Sequence, residues 1–419
     1  MTDHAPAMDS ATDPPLPSPD AAGLPTATVV LRPKRARPFF GRHPWVLDSA
    51  IARVDGAPAP GDVVDLATHE GRFVGRGLFN PHSRLRVRLY AFDPAVPLDA
   101  ALWRARIEAA VMLRHRLGLT TSEGAVRLIN SEGDDLSGLI VDRYDEWLCV
   151  QVTALAMAAR LDTLCDALAA LVPARGILLR GAERGLAGLE GLHLPDRVVR
   201  GRAPDGPVFV REGDLRFGID LAEGQKTGFY IDQRDNRRAA ARHAAGRRVL
   251  DMFTYSGGFA ITAAAAGATE VLAVDSSAKA TALAAANARL NGLPNVTIET
   301  ADAFSRLAEL AAAEARYGMV ILDPPKFARS RATVADALRA YHRVNRLAVD
   351  LLEPGGILVT CSCSGAVGRE EFLTMLAGVA QQARTTIQIL DVRGAGADHP
   401  VSASCLDGEY LTCVIARAP

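Results

Sequence analysis

Short runs in which apolar and polar residues alternate dominate the first part of the chain. Strand-like runs cover residues 29–31, 62–66, 73–77 and 85–89, and Gly and Pro residues separate them. Period-two alternation places every second side chain on the same face of a sheet. In the last run, Leu85–Leu89, the polar positions are arginines. The pattern predicts a small β-rich domain over residues 28–95 with one buried and one positive sheet face.

The next part mixes helical and strand-like patterns. Helical stripes cover residues 98–117 and 158–171. Strand-like runs cover residues 128–129, 139–142, 148–152 and 177–179. Because the elements are few and short, we expect a small middle α/β domain over residues 96–200. The Gly- and Pro-rich stretch 181–207 is typical of a linker.

Strands and helices alternate from a predicted hairpin near residue 208 onwards. The strand-like runs are 248–253, 271–275, 296–299, 319–322, 357–360 and 387–390, with helical segments between them. A last run, 405–417, is expected to close the sheet as an antiparallel strand. Regular alternation predicts an α/β fold with a doubly wound, Rossmann-like and mainly parallel sheet over residues 201–419. Ligands in such sheets bind beyond the carboxyl ends of the strands.

Composition narrows the class of protein. The chain has 419 residues, of which 49% are apolar and 23% are charged, so a sizeable core is available. The chain contains no run of about 18 uncharged apolar residues, so no membrane span is predicted. The N-terminus lacks the pattern of a secretory signal. The six cysteines are sparse, which fits a reducing compartment, and none has zinc spacing with histidine. We therefore expect a cytoplasmic protein without a membrane partner or a metal site.

Charge is distributed unevenly, although 47 basic side chains balance 48 acidic ones. Residues 1–27 hold four Asp and no Lys or Arg, and with many Pro and Ala they are expected to be a disordered tail. Residues 28–92 hold eleven basic and five acidic side chains, a net of +6. A basic module indicates a polyanion partner, although an ordinary solvated face is an equal alternative. Arg84, Arg86 and Arg88 are the first candidates for phosphate contacts.

Three acidic residues stand at or near the ends of successive predicted strands. Asp251 begins the segment that runs to Gly257 and Gly258, Asp275 ends the second strand, and Asp302 follows the third. Acidic groups there can hold ribose hydroxyls. Neither a G-x-G-x-x-G nor a phosphate-loop motif is present. The set points to a nucleoside without a pyrophosphate, and S-adenosylmethionine fits that description, although each Asp alone could be a helix N-cap.

Two further segments end the fourth and fifth predicted strands. In Asp323-Pro-Pro-Lys326-Phe327 the rigid turn fixes a carboxylate that could bind a nucleobase edge, the alternative being an ordinary turn. Lys326 is one of only four lysines in the chain. In the second segment, Thr360–Gly365, Cys363 lies in a polar turn and is a candidate nucleophile. Cys361 lies two residues earlier in an apolar run and is expected to be packed.

Several of these segments together resemble the bacterial large-subunit (23S) rRNA cytosine-5 methyltransferase family. The matching stretches are Arg42–Trp45, Gly224–Arg237, Asp251–Phe259, Asp323–Phe327, Ser362–Gly365 and Ala397–Pro400. The resemblance covers residues 28–419. It implies an N-terminal PUA RNA-binding domain, a small middle domain and a class I methyltransferase domain that uses S-adenosylmethionine.

The resemblance also implies roles for individual residues. Cys363 would be the nucleophile that adds to carbon 6 of the cytosine, and Asp323 would stabilise the charge that develops on the ring. The expected cofactor contacts are Asp251, Phe253, Gly257, Asp275, Asp302, Tyr230 and Gln233. The expected RNA contacts are Arg84, Arg86, Arg88 and Lys326.

The expected partner is large-subunit rRNA, free or in a precursor particle, and a homodimer is a further expectation. Two alternatives remain open from the residues alone. One is an rRNA guanine N-methyltransferase that uses the Asp-Pro-Pro motif without a thiol. The other is a non-catalytic rRNA-binding factor with a methyltransferase fold.

Overall fold

The computed structural model describes residues 23–120, 123–181, 188–192, 194–221, 229–328 and 330–418. Most of the predicted tail, residues 1–22, and the start of the Gly224–Arg237 segment, residues 224–228, lie outside them. The described residues form two compact units: 23–104 with 152–166, 188–192 and 194, and the remainder. Since the second unit holds both the middle sheet and the large sheet, the three-domain division stays a prediction.

The first unit is built on a six-stranded sheet. Its strands are β1 (Ala27–Leu31), β2 (Trp45–Leu47), β3 (Ile51–Asp55), β4 (Val63–Ala67), β5 (Phe73–Phe79) and β6 (Leu85–Ala91), in the spatial order β2-β6-β5-β4-β1-β3. A short helix, α1 (Arg37–Phe40), joins β1 to β2. Alternate apolar residues such as Val64, Leu66, Val87 and Leu89 form the core of this unit. The sequence pattern missed β2, which has only three residues, and β3, in which no residue is buried.

The second unit begins with a five-stranded sheet and a hairpin. The sheet strands are β7 (Ala125–Asn130), β8 (Leu139–Tyr144), β9 (Trp147–Val152), β10 (Gly176–Arg180) and β11 (Arg197–Gly201), and the hairpin strands are β12 (Val208–Glu212) and β13 (Leu215–Ile219). The helix α3 (Leu155–Ala158) belongs to the first unit, and the boundaries between the two units fall within α2 (Ala100–Arg116) and α4 (Leu161–Leu171).

A seven-stranded sheet forms the rest of the second unit. Its strands are β14 (Arg248–Met252), β15 (Glu270–Asp275), β16 (Val296–Thr300), β17 (Tyr317–Leu322), β18 (Leu352–Ser362), β19 (Gln388–Arg393) and β20 (Thr412–Ala418). The spatial order is β16-β15-β14-β17-β18-β20-β19, and β20 runs in the opposite direction to the other six strands. The predicted doubly wound sheet with a closing antiparallel strand is therefore confirmed.

Helices cover both faces of this sheet. They are α5 (Arg234–Ala241), α6 (Gly258–Ala265), α7 (Ala278–Leu290), α8 (Ala303–Ala312), α9 (Val334–Asp350) and α10 (Arg369–Ala383). Leu250 packs in a cluster with Tyr341 of α9 and Phe372 of α10, whereas the adjacent Val249 packs with Ala260 of α6. Successive strand residues point to opposite faces, so both faces are buried, as a parallel sheet requires.

Three sequence boundaries are wrong. Residues 197–201 of the predicted linker form β11, which pairs with β10; two valines between arginines gave too weak a signal. The predicted tail extends too far, since Gly23 accepts a backbone bond from Leu98 and Ala27 opens β1. The last strand begins at Thr412 rather than 405, because Leu406–Gly408 form a 3₁₀ turn. In the described part of the chain, no helix has the length and apolar character needed to cross a bilayer.

Candidate active site

Two aspartates meet where the strand order of the large sheet reverses, between β14 and β17. Asp251 precedes the last residue of β14, and Asp323 follows β17 directly. The pairing of Met252 with Leu322 sets the two carboxyl ends level, and the Asp323 N–H donates to the Met252 carbonyl at 3.4 Å. Doubly wound sheets bind ligands in the crevice at this reversal point.

The loop after β14 is a tight turn with an unusual backbone. Phe253, Tyr255 and Gly257 have φ angles of 65°, 49° and 84°, which lie in the left-handed region. A side chain at Gly257 would be strained by this positive φ, and its Cβ would also crowd the Cδ1 atom of Ile261 at 2.9 Å, so glycine is favoured here. Two non-glycine residues in this region store strain, which is typical of ligand-binding loops.

The Asp251 carboxylate is buried and only half satisfied. Its Oδ2 accepts hydrogen bonds from the Thr254 hydroxyl at 2.6 Å and the Ala260 N–H at 3.0 Å. Its Oδ1 is buried and has no hydrogen-bond partner among the described residues. Burial, with smaller repulsion from Asp323 and Asp275, raises the pKa of Asp251 to about 7, although the two hydrogen bonds oppose that rise.

The other two acidic strand ends differ from each other. Asp275 is half-buried and accepts the N–H groups of Tyr255 and Ser277, each at 2.9 Å, so it ties the first loop to the second strand. Asp302 is exposed, and its Oδ1 caps α8 by accepting the N–H of Ser305 at 2.9 Å. Hydrogen bonds from Ser305 lower the pKa of Asp302. Asp302 is therefore a helix N-cap, which is the alternative role that the sequence left open for each of these aspartates.

These groups fit S-adenosylmethionine. The buried Asp251 oxygen without a partner suits a cationic group, and the half-buried Asp275 carboxylate retains lone pairs for a ribose diol. Asp251, Asp275 and the loop through Gly257 are the residues that would hold this cofactor. Bound there, it would supply an electrophilic methyl group.

Cys363 is the first residue after β18, and the structure brings it next to the Asp323 loop. Its thiol donates to the carbonyl oxygen of Pro324, with the sulfur 3.6 Å from that oxygen. The flanking Ser362 and Ser364 are both held by the Tyr341 hydroxyl, at 3.0 and 3.1 Å. Ser364 also accepts the N–H of Ala328 at 3.2 Å. The turn that carries the half-buried thiol is thus fixed against the loop that carries Asp323.

Cys361 has a different environment. It is fully buried inside β18, directly opposite Cys413 of β20. Burial, together with the hydrogen bond that the protonated Cys361 thiol makes with Cys413, raises the pKa of Cys361 well above its usual range. A thiol with a raised pKa that solvent does not reach is a poor nucleophile.

Three expected cofactor contacts surround the aspartates in different ways. Phe253 is half-buried and packs against the sheet core. Burial, followed by the nearby charges of Asp323 and other groups, raises the pKa of Tyr230, whose ring contacts Tyr255 edge-to-face at 5.2 Å. Gln233 is buried and donates from Nε2 to Oδ1 of Asp323 at 2.9 Å. The observed contact of Gln233 is therefore with the candidate catalytic carboxylate.

The expected RNA contacts do not share one surface. Arg84 is exposed, and Arg86 is half-buried with a bond to the Asn80 carbonyl at 3.4 Å. Arg88 is buried and pairs with Glu190 at 3.1 Å. The prediction of an exposed row is thus wrong at Arg88, because a buried guanidinium needs an acidic partner that the alternation of β6 does not reveal. Lys326 is exposed on the loop after β17.

Sequence analysis missed a buried polar cluster centred on Asp398, in the segment Ala397–Pro400. The Asp398 carboxylate contacts Arg234 at 3.1 Å, His399 at 3.0 Å and the N–H of Arg127 at 3.0 Å. Burial favours the neutral acid, but His399 and Arg234 outweigh it and hold the pKa of Asp398 at about 2. The cluster fastens the start of α5 to β7. The adjacent Asp and His in this segment were the signal that could have found it.

Two family descriptions match this chain. Residues 201–391 match S-adenosylmethionine-dependent methyltransferases, and residues 29–92 match a PUA-like domain. The crevice that Asp251, Asp275 and Asp323 line lies within the first of these two matched ranges. The chain is therefore a methyltransferase that uses S-adenosylmethionine, with a PUA-like domain before the Rossmann-like sheet.

Relatives match over nearly the whole length. The chain is 37% identical to the ribosomal RNA large subunit methyltransferase I of Aeromonas hydrophila, over 94% of this chain and 100% of that relative. It is also 37% identical to the protein of the same name from Shewanella denitrificans, over 93% and 98%.

Solved structures agree in fold. A SAM-dependent methyltransferase from Streptococcus mutans superposes with a TM-score of 0.78 at 18% identity, over 93% of this chain and 99% of that one. A methyltransferase complexed with SAH gives a TM-score of 0.79 at 19% identity, over the same shares. On the strength of the full-length relatives, the chain belongs to the family of the ribosomal RNA large subunit methyltransferase I proteins.

Proposed function

We propose that this protein transfers a methyl group to carbon 5 of a cytosine in large-subunit (23S) rRNA through a covalent adduct with Cys363. The observation that carries the proposal is the half-buried Cys363 thiol held 3.6 Å from the Pro324 carbonyl, next to Asp323. An amino-methylating enzyme has no use for a thiol at that place. The full-length relatives are named as large-subunit rRNA methyltransferases, which supports the choice of RNA.

Carbon 5 of cytosine is a weak nucleophile, and the residues at the site compensate for that. The Cys363 thiolate forms a bond to carbon 6, which makes carbon 5 electron-rich, while Asp323 delivers a proton to ring nitrogen 3 and so neutralises the developing charge. After carbon 5 has gained the methyl group, it loses its proton to a base. The carbon–sulfur bond then breaks and ring nitrogen 3 returns its proton to Asp323, which restores the thiolate, the carboxyl group and the aromatic ring.

The cytosine must leave any helical stack before the thiol can reach carbon 6. The first unit offers a basic segment for holding the RNA. Residues 28–47, from β1 to β2, contain five basic and no acidic side chains: Arg32, Lys34, Arg35, Arg37 and Arg42. All five are exposed, and the same segment exposes half of the Phe40 ring. We propose this segment together with Arg84 as the phosphate-binding surface, and Lys326 as a contact near the reacting base.

The test uses the full-length protein and RNA that contains 5-fluorocytosine. Fluorine blocks the loss of the carbon 5 substituent, so an enzyme with a cysteine nucleophile becomes trapped as a covalent adduct. The parent and Cys361→Ala should form the adduct, and Cys363→Ala should not. Cys363→Ala should still bind S-adenosylmethionine with the affinity of the parent, because the thiol acts on the base.

Mass mapping of the rRNA product completes the test. Methylation at carbon 5 of a cytosine supports the proposal. A methylated guanine, or full turnover by Cys363→Ala, would replace it with the amino-methylating reaction. Bound RNA without any product would point to a non-catalytic factor, and an adduct mapped to Cys361 would reject the assignment of the nucleophile.

A further inference from the structure

A chain of hydrogen bonds leads from the edge strand β19 to the Asp323 carboxylate. The Arg393 Nε donates to Oδ1 of Asn236 at 3.1 Å. The Asn236 Nδ2 donates to Oε1 of Gln233 at 2.7 Å, and the Gln233 Nε2 donates to Oδ1 of Asp323 at 2.9 Å. Asn236 and Gln233 are 1% and 2% exposed, so water does not compete for these bonds.

The direction of this chain is fixed at its outer end. A guanidinium only donates hydrogen bonds, so the Asn236 group that faces Arg393 must be its carbonyl oxygen. The Asn236 amide nitrogen then faces inward, where it also donates to the Gly394 carbonyl at 3.1 Å. The same nitrogen donates to Gln233, so the Gln233 side-chain oxygen must be the acceptor. The amino group of Gln233 is therefore the group that meets Asp323.

We infer that Gln233 is a positioning residue for Asp323 and that Asn236 and Arg393 set its orientation. The bond from Gln233 to Oδ1 of Asp323 orients the carboxyl group that exchanges a proton with the base. The inference rests on the proposed function only in naming that proton transfer. It gives Gln233 a role other than the cofactor contact that the sequence predicts.

Other groups near Asp323 must be separated from this effect. Tyr230 before α5, Asp251 in β14, Cys361 in β18 and Tyr341 on α9 all interact electrostatically with Asp323. Apart from Asp323 itself, Arg393 is the charged residue in the described chain of bonds, and two amides separate it from Asp323. Gln233→Leu keeps every one of these charges and therefore isolates the role of orientation, whereas Asn236→Asp adds one carboxyl group that is separated from Asp323 by the Gln233 amide.

The test compares variants of matched size in the full-length enzyme. Gln233→Leu removes the donor to Asp323. Asn236→Asp keeps the shape and still accepts from Arg393, but its carboxylate cannot donate to Gln233. The Gln233 amide should then turn over and aim its oxygen at Asp323. Gln388→Leu, at an exposed position of β19, is the control.

The readouts are single-turnover methyl transfer against pH, the RNA KM and the affinity for S-adenosylmethionine. Gln233→Leu and Asn236→Asp should each slow methyl transfer by about 100-fold, as a misplaced catalytic group does. The RNA KM and the cofactor affinity should stay within about 2-fold of the parent, within the precision of a neutral substitution. The pH limb that reports Asp323 should move upward, because the carboxylate loses a donor. Gln388→Leu should change nothing.

The double variant Gln233→Leu/Asn236→Asp should be no slower than Gln233→Leu alone, since both act through one bond. Additive losses, or a weakened cofactor affinity at an unchanged rate, would overturn the inference. The base methylated by the parent reports on the proposed function separately. A guanine product would remove that proposal, but the rates of the variants relative to the parent would still test the role of Gln233.

Discussion

Cys361 of β18 lies directly opposite Cys413 of β20, on a pair of strands that is buried on both faces. Cys363, two residues further on, has left the strand and is half-buried. Five of the six cysteines are buried, and Cys363 is the exception. The same short motif therefore holds one inert and one accessible thiol, because the strand ends between them.

This difference predicts the alkylation pattern of the native protein. A small thiol reagent at neutral pH should modify one cysteine rapidly, and peptide mapping should place the label on Cys363. Burial protects the other five, and the raised pKa of Cys361 keeps its thiol protonated as well. Cys363→Ala should take up almost no label until the protein is unfolded. Rapid labelling of Cys361 would contradict the assignment.

Substitutions of Asp275 and Asp302 should differ in their effect on the affinity for S-adenosylmethionine. Asp275→Ala removes hydrogen bonds to a charged group, which costs about 1.5–3 kcal/mol, or roughly 10- to 150-fold in affinity for S-adenosylmethionine. Asp302→Ala removes the N-cap of α8, so it should lower the free energy of unfolding by about 1 kcal/mol. Calorimetric titration and thermal unfolding measure the two effects. Equal affinity of Asp275→Ala and the parent would remove Asp275 from the cofactor site.

Cofactor affinity should depend on pH through Asp251. Its pKa of about 7 in the free protein means that the carboxyl is protonated below that pH. A cationic ligand prefers the carboxylate, so binding must then release a proton, and affinity should fall by up to tenfold per pH unit below pH 7. Above pH 7 this dependence disappears. Titration in buffers of different ionisation enthalpy detects the released proton.

Asp251→Asn serves as the control for that experiment, since an amide does not titrate. Its affinity should be weaker than that of the parent and nearly constant between pH 5.5 and pH 7, roughly the range over which the parent changes. The same slope in both proteins would assign the titration to another group.

The large sheet was predictable from the sequence because each β-α unit repeats one pattern of apolar strand and amphipathic helix. The candidate cysteine and aspartates stand at strand ends, which that pattern locates to within a residue or two. The Arg88–Glu190 pair and the bond from Gln233 to Asp323 were not predictable. Each joins residues about 90 or more positions apart, and nothing local in the sequence records the partner.

The basic segment between β1 and β2 should govern the salt dependence of RNA binding. Replacing Arg32, Lys34 and Arg35 by Gln in the full-length protein should weaken RNA binding. The slope of log K against log salt should fall by about 0.7–0.9 for each phosphate that is no longer neutralised. Arg53→Gln is the matched control, because Arg53 already pairs with Asp55 on the exposed strand β3. An unchanged slope in the triple variant would move the RNA surface elsewhere.

Arg88→Gln tests the corrected environment of that residue. Its loss leaves Glu190 buried without its cation, which should lower the free energy of unfolding by about 3–5 kcal/mol. The salt slope of RNA binding should stay that of the parent. A stable variant with a smaller slope would restore Arg88 as a phosphate contact.

The buried Asp398 cluster should make the protein sensitive to acid. The pKa of Asp398 is about 2, below its unfolded value near 3.9, so its charge stabilises the fold at and above about pH 4. That contribution should be lost as the pH falls from about 4 to 2. At pH 7 Asp398→Asn should cost about 3–5 kcal/mol, because Arg234 would remain buried without its counter-charge. Thermal unfolding from pH 7 down to pH 2.5 measures this, and the difference in the free energy of unfolding between parent and variant should narrow only below about pH 4.

Asp350→Asn, which removes a half-exposed ion pair with Arg346, should cost less than about 1 kcal/mol at every pH. A gap for Asp398→Asn that stays constant down to pH 2.5 would mean that packing, and not the charge, holds α5 against β7.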